Sequence, residues 1–238
     1  MLRGLRPHKA LACLLPFSFL RKMAYQLLCG YRFGAGSRIG FLTYIDAEKV
    51  EIGPGVRIAN KCRFKAIVTL HVGPSCRIER ECTFYHLGEV RIGENTQVQA
   101  FSEFIGAPWD RAGYRATFNV GRDSLICGRM HFDLSRDIMI GERVTVAGLR
   151  SSFWTHGLSW DNCKPIRVGD RCFIGSTVML GPGTDIADDC VVGMGSVVQG
   201  KFTEPDCLIL GNRAQIVKRH YRATRKGLTE DNRTTSSA

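Results

Sequence analysis

Apolar residues recur every six positions along most of this 238-residue chain. They fall at Ile52, Ile58 and Phe64, at Val72, Ile78 and Phe84, and at Ile92, Val98 and Phe104. The spacing returns at Val120, Ile126 and Phe132, and at Ile140 and Val146. It runs from Val168 through Ile174, Leu180, Ile186 and Val192 to Val198, with a fainter start at Phe33, Ile39 and Ile45. A six-residue period does not return to one face of a 3.6-residue helix. It is the mark of a parallel β-helix, in which one repeat cannot bury its apolar face without its neighbours. Three such steps make one triangular coil of three short strands, and coils stack at about 4.8 Å.

Coils start at 33, 52, 72, 92, 120, 140, 168 and 186, which gives about eight coils in one all-β domain. Of the 24 inward positions, 23 are apolar and the exception is Ser152. The third positions Phe64, Phe84, Phe104 and Phe132 predict an aromatic ladder along one edge. Glycine follows many inward positions, as at Gly53, Gly73, Gly93 and Gly121, and is expected there for its freedom of backbone angle. The repeat domain covers 33–204, with excursions near 105–119 and 153–165. Residues 1–32 are read as an amphipathic cap or anchor, and 205–238 as a strand with a short basic helix or tail.

Ten cysteines suggest a disulfide or metal framework until they are placed on the repeat. Cys62, Cys76, Cys82, Cys172 and Cys190 stand four residues after an inward position, where other coils carry Ser, Thr or Val. Cysteine there is core filler, no C-x-x-C pair occurs, and no metal is expected. Free thiols favour a reducing, cytoplasmic compartment. The net charge of +11 suits anionic partners, with much of the excess at the two ends. Ala10–Leu20 is apolar between basic flanks, as in a signal peptide. Yet the run is too short to span a bilayer, Pro16 breaks a helix through it, and no cleavage signal follows. A retained segment in peripheral contact with a membrane, at its inner face, is the favoured reading.

Loops on a rigid scaffold are where function sits. The second excursion reads Phe153-Trp154-Thr155-His156-Gly157, then Lys164-Pro165-Ile166-Arg167-Val168-Gly169-Asp170. Later come Ile174-Gly175-Ser176 and Val192-Gly193-Met194-Gly195-Ser196-Val197-Val198. The repeat closes with Gly211-Asn212-Arg213-Ala214-Gln215-Ile216-Val217-Lys218. Together these resemble the left-handed β-helix acyltransferases that use acetyl-CoA, most of all the sugar and surface-polysaccharide O-acetyltransferases. The likeness is best over 155–221. Arg213 stands where that family has proline, and Gln215 where it often has a basic residue.

The resemblance implies a left-handed homotrimer with sites between subunits, acetyl-CoA as acyl donor, and a small-molecule or glycan acceptor. It maps the general base onto His156, a role that suits an imidazole titrating near neutrality. Asp133, one coil earlier, is placed to orient that imidazole or bind the acceptor; a turn-stabilising role is the competing reading. The donor is expected on the backbone of Gly175, Ser176, Gly193 and Gly195, with Lys201, Arg213 and Lys218 (Arg219 beside it) at its phosphates. The competing reading for those cations is a solvated basic face. His131, Trp154, Trp160 and Asp161 are expected at the acceptor.

Two other functions share the prism. A γ-class carbonic anhydrase needs closely spaced histidines converging on a metal, and His8, His71, His86, His131, His156 and His220 lack that spacing. A non-catalytic scaffold needs only the surface. Nucleic-acid binding is not expected, because no module signature accompanies the basic residues.

Overall fold

The computed structural model describes residues 6–108, 113–157 and 162–221. The chain is a parallel β-solenoid of about eight turns, in keeping with the left-handed β-helix expected. Inward residues of one coil lie in register over the next: Ile39 on Ile58, Ile58 on Ile78, and Ile78 on Val98. The second inward positions build one face, a sheet that runs from Arg38–Ile39 to Leu208–Leu210. The first and third positions build the other two faces. These merge in the lower coils, where the strands Tyr44–Ile52 and Arg63–Val72 pass through the corner without a turn.

The aromatic ladder forms. Phe64, Phe84, Phe104 and Phe132 stack with ring centroids 4.9, 4.3 and 4.6 Å apart. It has a fifth member that corrects the repeat frame. Phe153, not Ser152, pairs with Phe132 below and Leu180 above, and its side chain is fully buried. The turn before it holds one extra residue. In other coils a left-handed residue stands three positions after the second inward site, as at Lys61, Glu81, Phe101 and Arg129; here it is Arg150, four after Val146. Ser152 lies on the outer surface of the third face, so every inward position is apolar.

The glycines after inward positions also have a different cause from the one expected. Their φ angles are ordinary, but the next coil lies too close for a side chain. A Cβ at Gly53 would sit 2.7 Å from the Pro74 nitrogen, and one at Gly121 2.7 Å from that of Glu142.

The five slot cysteines are buried, and each thiol donates to a carbonyl of the next coil. Cys62 reaches Glu79 O at 3.0 Å, Cys76 reaches Gly93 O at 2.9 Å, and Cys82 reaches Gln99 O at 3.2 Å. Thr96 and Ser151 use the same slot, donating to Gly121 O at 2.7 Å and Gly175 O at 3.0 Å. The slot is therefore an inter-coil hydrogen-bond position, which explains why Cys, Ser and Thr interchange there.

Two helices cover the lower end, α1 (Pro7–Leu14) and α2 (Ser18–Cys29), with Pro16 between them. Their side chains satisfy the first coil. Tyr25 OH, fully buried, donates to Thr43 O and accepts from Ile45 N, both at 3.1 Å. Arg21 donates twice to Ile39 O, and buried Lys9 pairs with Asp46 at 2.8 Å. At the upper end, Leu208–Leu210 turns back into an antiparallel strand, Gln215–Lys218, where the start of a basic helix was one expectation. No helix among the described residues is long and apolar enough to cross a membrane.

Candidate active site

The third and first faces meet at a corner that collects residues one position past each third inward site. Asp133 and Trp154 are in register there. Two residues further, the chain leaves the prism and carries His156. Its Nδ1 lies 2.8 Å from Asp133 Oδ1. Asp133 is 6% exposed, so this carboxylate works in a site of reduced dielectric. Thr155 Oγ1 donates to Asp133 O at 2.9 Å, lies 3.3 Å from Asp133 Oδ1, and accepts from Arg136 N at 2.9 Å. Lys164 N closes the base of the loop on Thr155 O at 2.9 Å. The Thr155 hydroxyl thus ties the residue before His156 to Asp133, while the carboxylate meets the imidazole directly. A carboxylate accepting at Nδ1 puts the proton there and leaves the Nε2 lone pair to take another.

Trp154 stands between two histidines. Its ring is edge-on to His156, with centroids 5.6 Å apart, and 4.9 Å from that of His131. The indole Nε1 is buried without a protein partner among the described residues. His131 lies on the third face, with Nδ1 3.4 Å from Glu103 Oε2, and does not share the Asp133 carboxylate. Trp160 and Asp161 lie outside the described residues. Beside the dyad, Asp137 takes hydrogen bonds from Tyr114 OH at 2.8 Å and Thr117 N at 2.7 Å. Burial and that carboxylate push the Tyr114 hydroxyl up to about 12, so it stays a donor.

Further along the same corner is a cavity of about 470 Å³. Lys164, Arg167, Pro182, Gly183, Asp185 and Lys201 line it, with Asp185 in register between Arg167 and Lys201. Lys201 was expected at the donor. Lys164 and Arg167 were visible only as part of a motif, since nothing in a linear pattern says that their side chains meet Gly183 and Lys201 from other coils.

Gly175, Ser176, Gly193 and Gly195 are on a different corner, between the second and third faces. A Cβ on Gly175 would meet Met194 N at 2.7 Å, and Gly195 holds a left-handed turn at φ +71. Ser176 packs against Gly148. Arg213 is exposed beyond the second face, and Lys218 Nζ lies 5.8 Å from the Tyr221 ring. Arg219 is paired with Glu204 at 2.7 Å. Within one chain these residues do not join the cavity. Among the described residues no group of three or more His, Cys, Asp or Glu side chains is placed to hold a metal.

Residues 165–199 match the family model described as the hexapeptide repeat of succinyl-transferase. A curated relative is the putative lipopolysaccharide biosynthesis O-acetyl transferase WbbJ of Escherichia coli K12. It is 29% identical over 103 residues, which cover 39% of this chain and 52% of the relative. The chain thus spans about half the length of that relative. Among solved structures, a UDP-N-acetylglucosamine acyltransferase from Campylobacter jejuni is similar with a TM-score of 0.55 at 20% identity. The match covers 85% of this chain and 75% of that one, and it is a likeness of fold. A hexapeptide-repeat acetyltransferase from Vibrio cholerae is 25% identical over 54% of this chain and 73% of its own, with a TM-score of 0.41. The resemblance to hexapeptide-repeat acyltransferases read from the sequence is borne out by this family match and the curated relative.

Proposed function

We propose that the chain is an acetyl-CoA-dependent O-acetyltransferase acting on a sugar hydroxyl in surface-polysaccharide or glycan synthesis. The observation that carries the reading is the buried Asp133 carboxylate 2.8 Å from the Nδ1 of a loop histidine, beside a cavity lined by three cations and one carboxylate, Asp185. Acetyl-CoA supplies the acyl carbonyl and a thiolate leaving group. Lys164, Arg167 and Lys201 outnumber the Asp185 carboxylate between the last two and give its phosphates cationic partners. His156 Nε2 takes the proton of the acceptor hydroxyl as its oxygen attacks the thioester carbon. Asp133 holds the resulting imidazolium. When the tetrahedral adduct breaks its C–S bond, His156 returns the proton to the thiolate. The products are the acetyl ester and the free thiol of CoA.

The Gly175 N–H is taken up by the inter-coil ladder, donating to Val192 O at 2.8 Å, so the Ser176 N–H is the one assigned to an oxyanion, and it is on another corner. A homotrimer that sets this corner of one copy against the His156 corner of the next would unite them. His131 and Trp154, with Trp160 and Asp161, are assigned to the acceptor. A cytoplasmic location suits the free thiols and the donor.

The test is a screen of acceptor sugars with acetyl-CoA, following free thiol, with His156→Ala as control. Thiol release that depends on acceptor and on His156 is the expected result. No acetyl-CoA binding by the wild type, or unchanged transfer by the variant, would leave the non-catalytic scaffold as the function.

A further inference from the structure

The lower end of the prism inverts the ordinary arrangement of a surface helix. An amphipathic helix normally buries its apolar stripe. In α2, Arg21 and Tyr25 point into the prism and are buried, while Phe19, Met23 and Leu27 form the i, i+4, i+8 stripe on the outside. Phe19 is 62% exposed and Leu27 78%. Leu14, Phe17 and Phe41 continue the apolar surface. It is entirely without acidic neighbours in sequence: the first 45 residues hold seven Lys or Arg and no Asp or Glu.

A second feature adjoins it that the linear pattern did not reveal. Arg38, Arg57 and Arg77 are in register on successive strands of the second face, all outward and exposed. Strand spacing puts their Cα atoms about 4.8 Å apart. Like charges directly opposite one another destabilise a sheet. At the flanking outward positions Gly40, Ala59 and Glu79, only the last offers a carboxylate. The row starts at α2, where Ser18 Oγ accepts from Ile39 N at 2.9 Å and Lys22 Nζ reaches Ser37 Oγ at 3.4 Å. The apolar stripe and the arginine row are therefore one continuous surface around the lower edge.

We infer that this surface docks the protein on an anionic lipid bilayer. The outer stripe of α2 enters the boundary between headgroups and acyl chains, and the arginine row lies against lipid phosphates. A soluble polyanion would use the arginines and leave the apolar stripe in water; a second copy of the chain would bring its own arginines to a cationic edge. A bilayer with anionic headgroups satisfies both halves. The prism then sits on its lower edge, with the second face inclined to the membrane. This inference does not depend on the proposed activity.

The full chain is sedimented with phosphatidylcholine vesicles, with and without phosphatidylglycerol. Binding is expected only with the anionic lipid, and it weakens as salt rises. R38Q/R57Q/R77Q lowers the affinity on the order of 100-fold, about fivefold per charge. F19S/L27S abolishes binding although every charge remains. Circular dichroism of both variants matches the wild type and neither melts lower, because all five side chains are on the outside; the arginine variant melts at or above the wild type, since it loses the like-charge repulsion. Equal binding to neutral vesicles, or none to anionic ones, overturns the inference. So does binding of dextran sulfate as tight as binding of the anionic vesicles. Self-association that F19S/L27S removes, without vesicle binding, assigns the surface to a second copy instead.

Discussion

Two corners of the prism behave differently. Between the second and third faces, the turn repeats almost without change, with a left-handed residue at Lys61, Glu81, Phe101, Arg129 and Thr177. One extra residue before Phe153 is its single departure among the coils from Ile39 to Val192. Between the third and first faces, the path from one inward residue to the next varies from 4 residues (Val198 to Phe202) to 16 (Phe104 to Val120). The dyad and the cavity lined by Lys164, Asp185 and Lys201 are both on this variable corner. Register on the adjoining faces is set by stacked side chains, so the connection between them is free to lengthen. The proposed chemistry lies where chain length costs the core least.

That comparison predicts separable defects. His156→Ala should lower acetyl transfer by about 10²–10⁴-fold, the usual contribution of a general base, with a stability loss of no more than about 1–3 kcal/mol from the unpaired Asp133 carboxylate. Asp133→Asn acts through the histidine, since an amide N–H facing Nδ1 imposes the wrong tautomer, and should lower kcat by up to about 10⁴-fold; a loss under about tenfold would mean that Asp133 does not orient His156. Phe104→Ala, in the ladder shared by both corners, should destabilise by about 3–5 kcal/mol in denaturant unfolding, and activity lost with it should return at lower temperature.

Ser151→Ala belongs to the regular corner. It removes a donor to Gly175 O and an acceptor for Val178 N, and should cost about 1–3 kcal/mol while kcat stays as it was. Cys82→Ser is the mildest. If the slot serves inter-coil hydrogen bonding, stability changes by less than about 1 kcal/mol; a much larger loss would return that cysteine to a purely apolar role.

Much of the fold was legible because each coil repeats the same statement. A single inward Phe proves little, but four at one position in successive coils announce a ladder. The error at Ser152 has the same origin. An inserted turn residue leaves no mark in composition, and Phe153 was apolar at the neighbouring position all along. Asp133 and His156 were legible as a pair because coil register brings positions about twenty residues apart onto adjacent levels. Lys164 and Arg167 were not singled out, because the wall they share with Lys201 depends on the path of a loop. The glycine corners were placed correctly on the repeat, yet their separation from His156 needs the three faces to be laid out in space.

The period, the coil count and the identity of the core belong to the sequence alone, since a local pattern repeated many times averages out individual exceptions. Tertiary structure decided three things: which residue of a lengthened turn faces inward, which side of α2 faces water, and how near a carboxylate lies to an imidazole. Each depends on one non-repeated contact. Amphipathicity records that a helix has two sides, but Arg21 and Tyr25 turn inward because the open end of the first coil presents unpaired backbone groups that only polar side chains can satisfy.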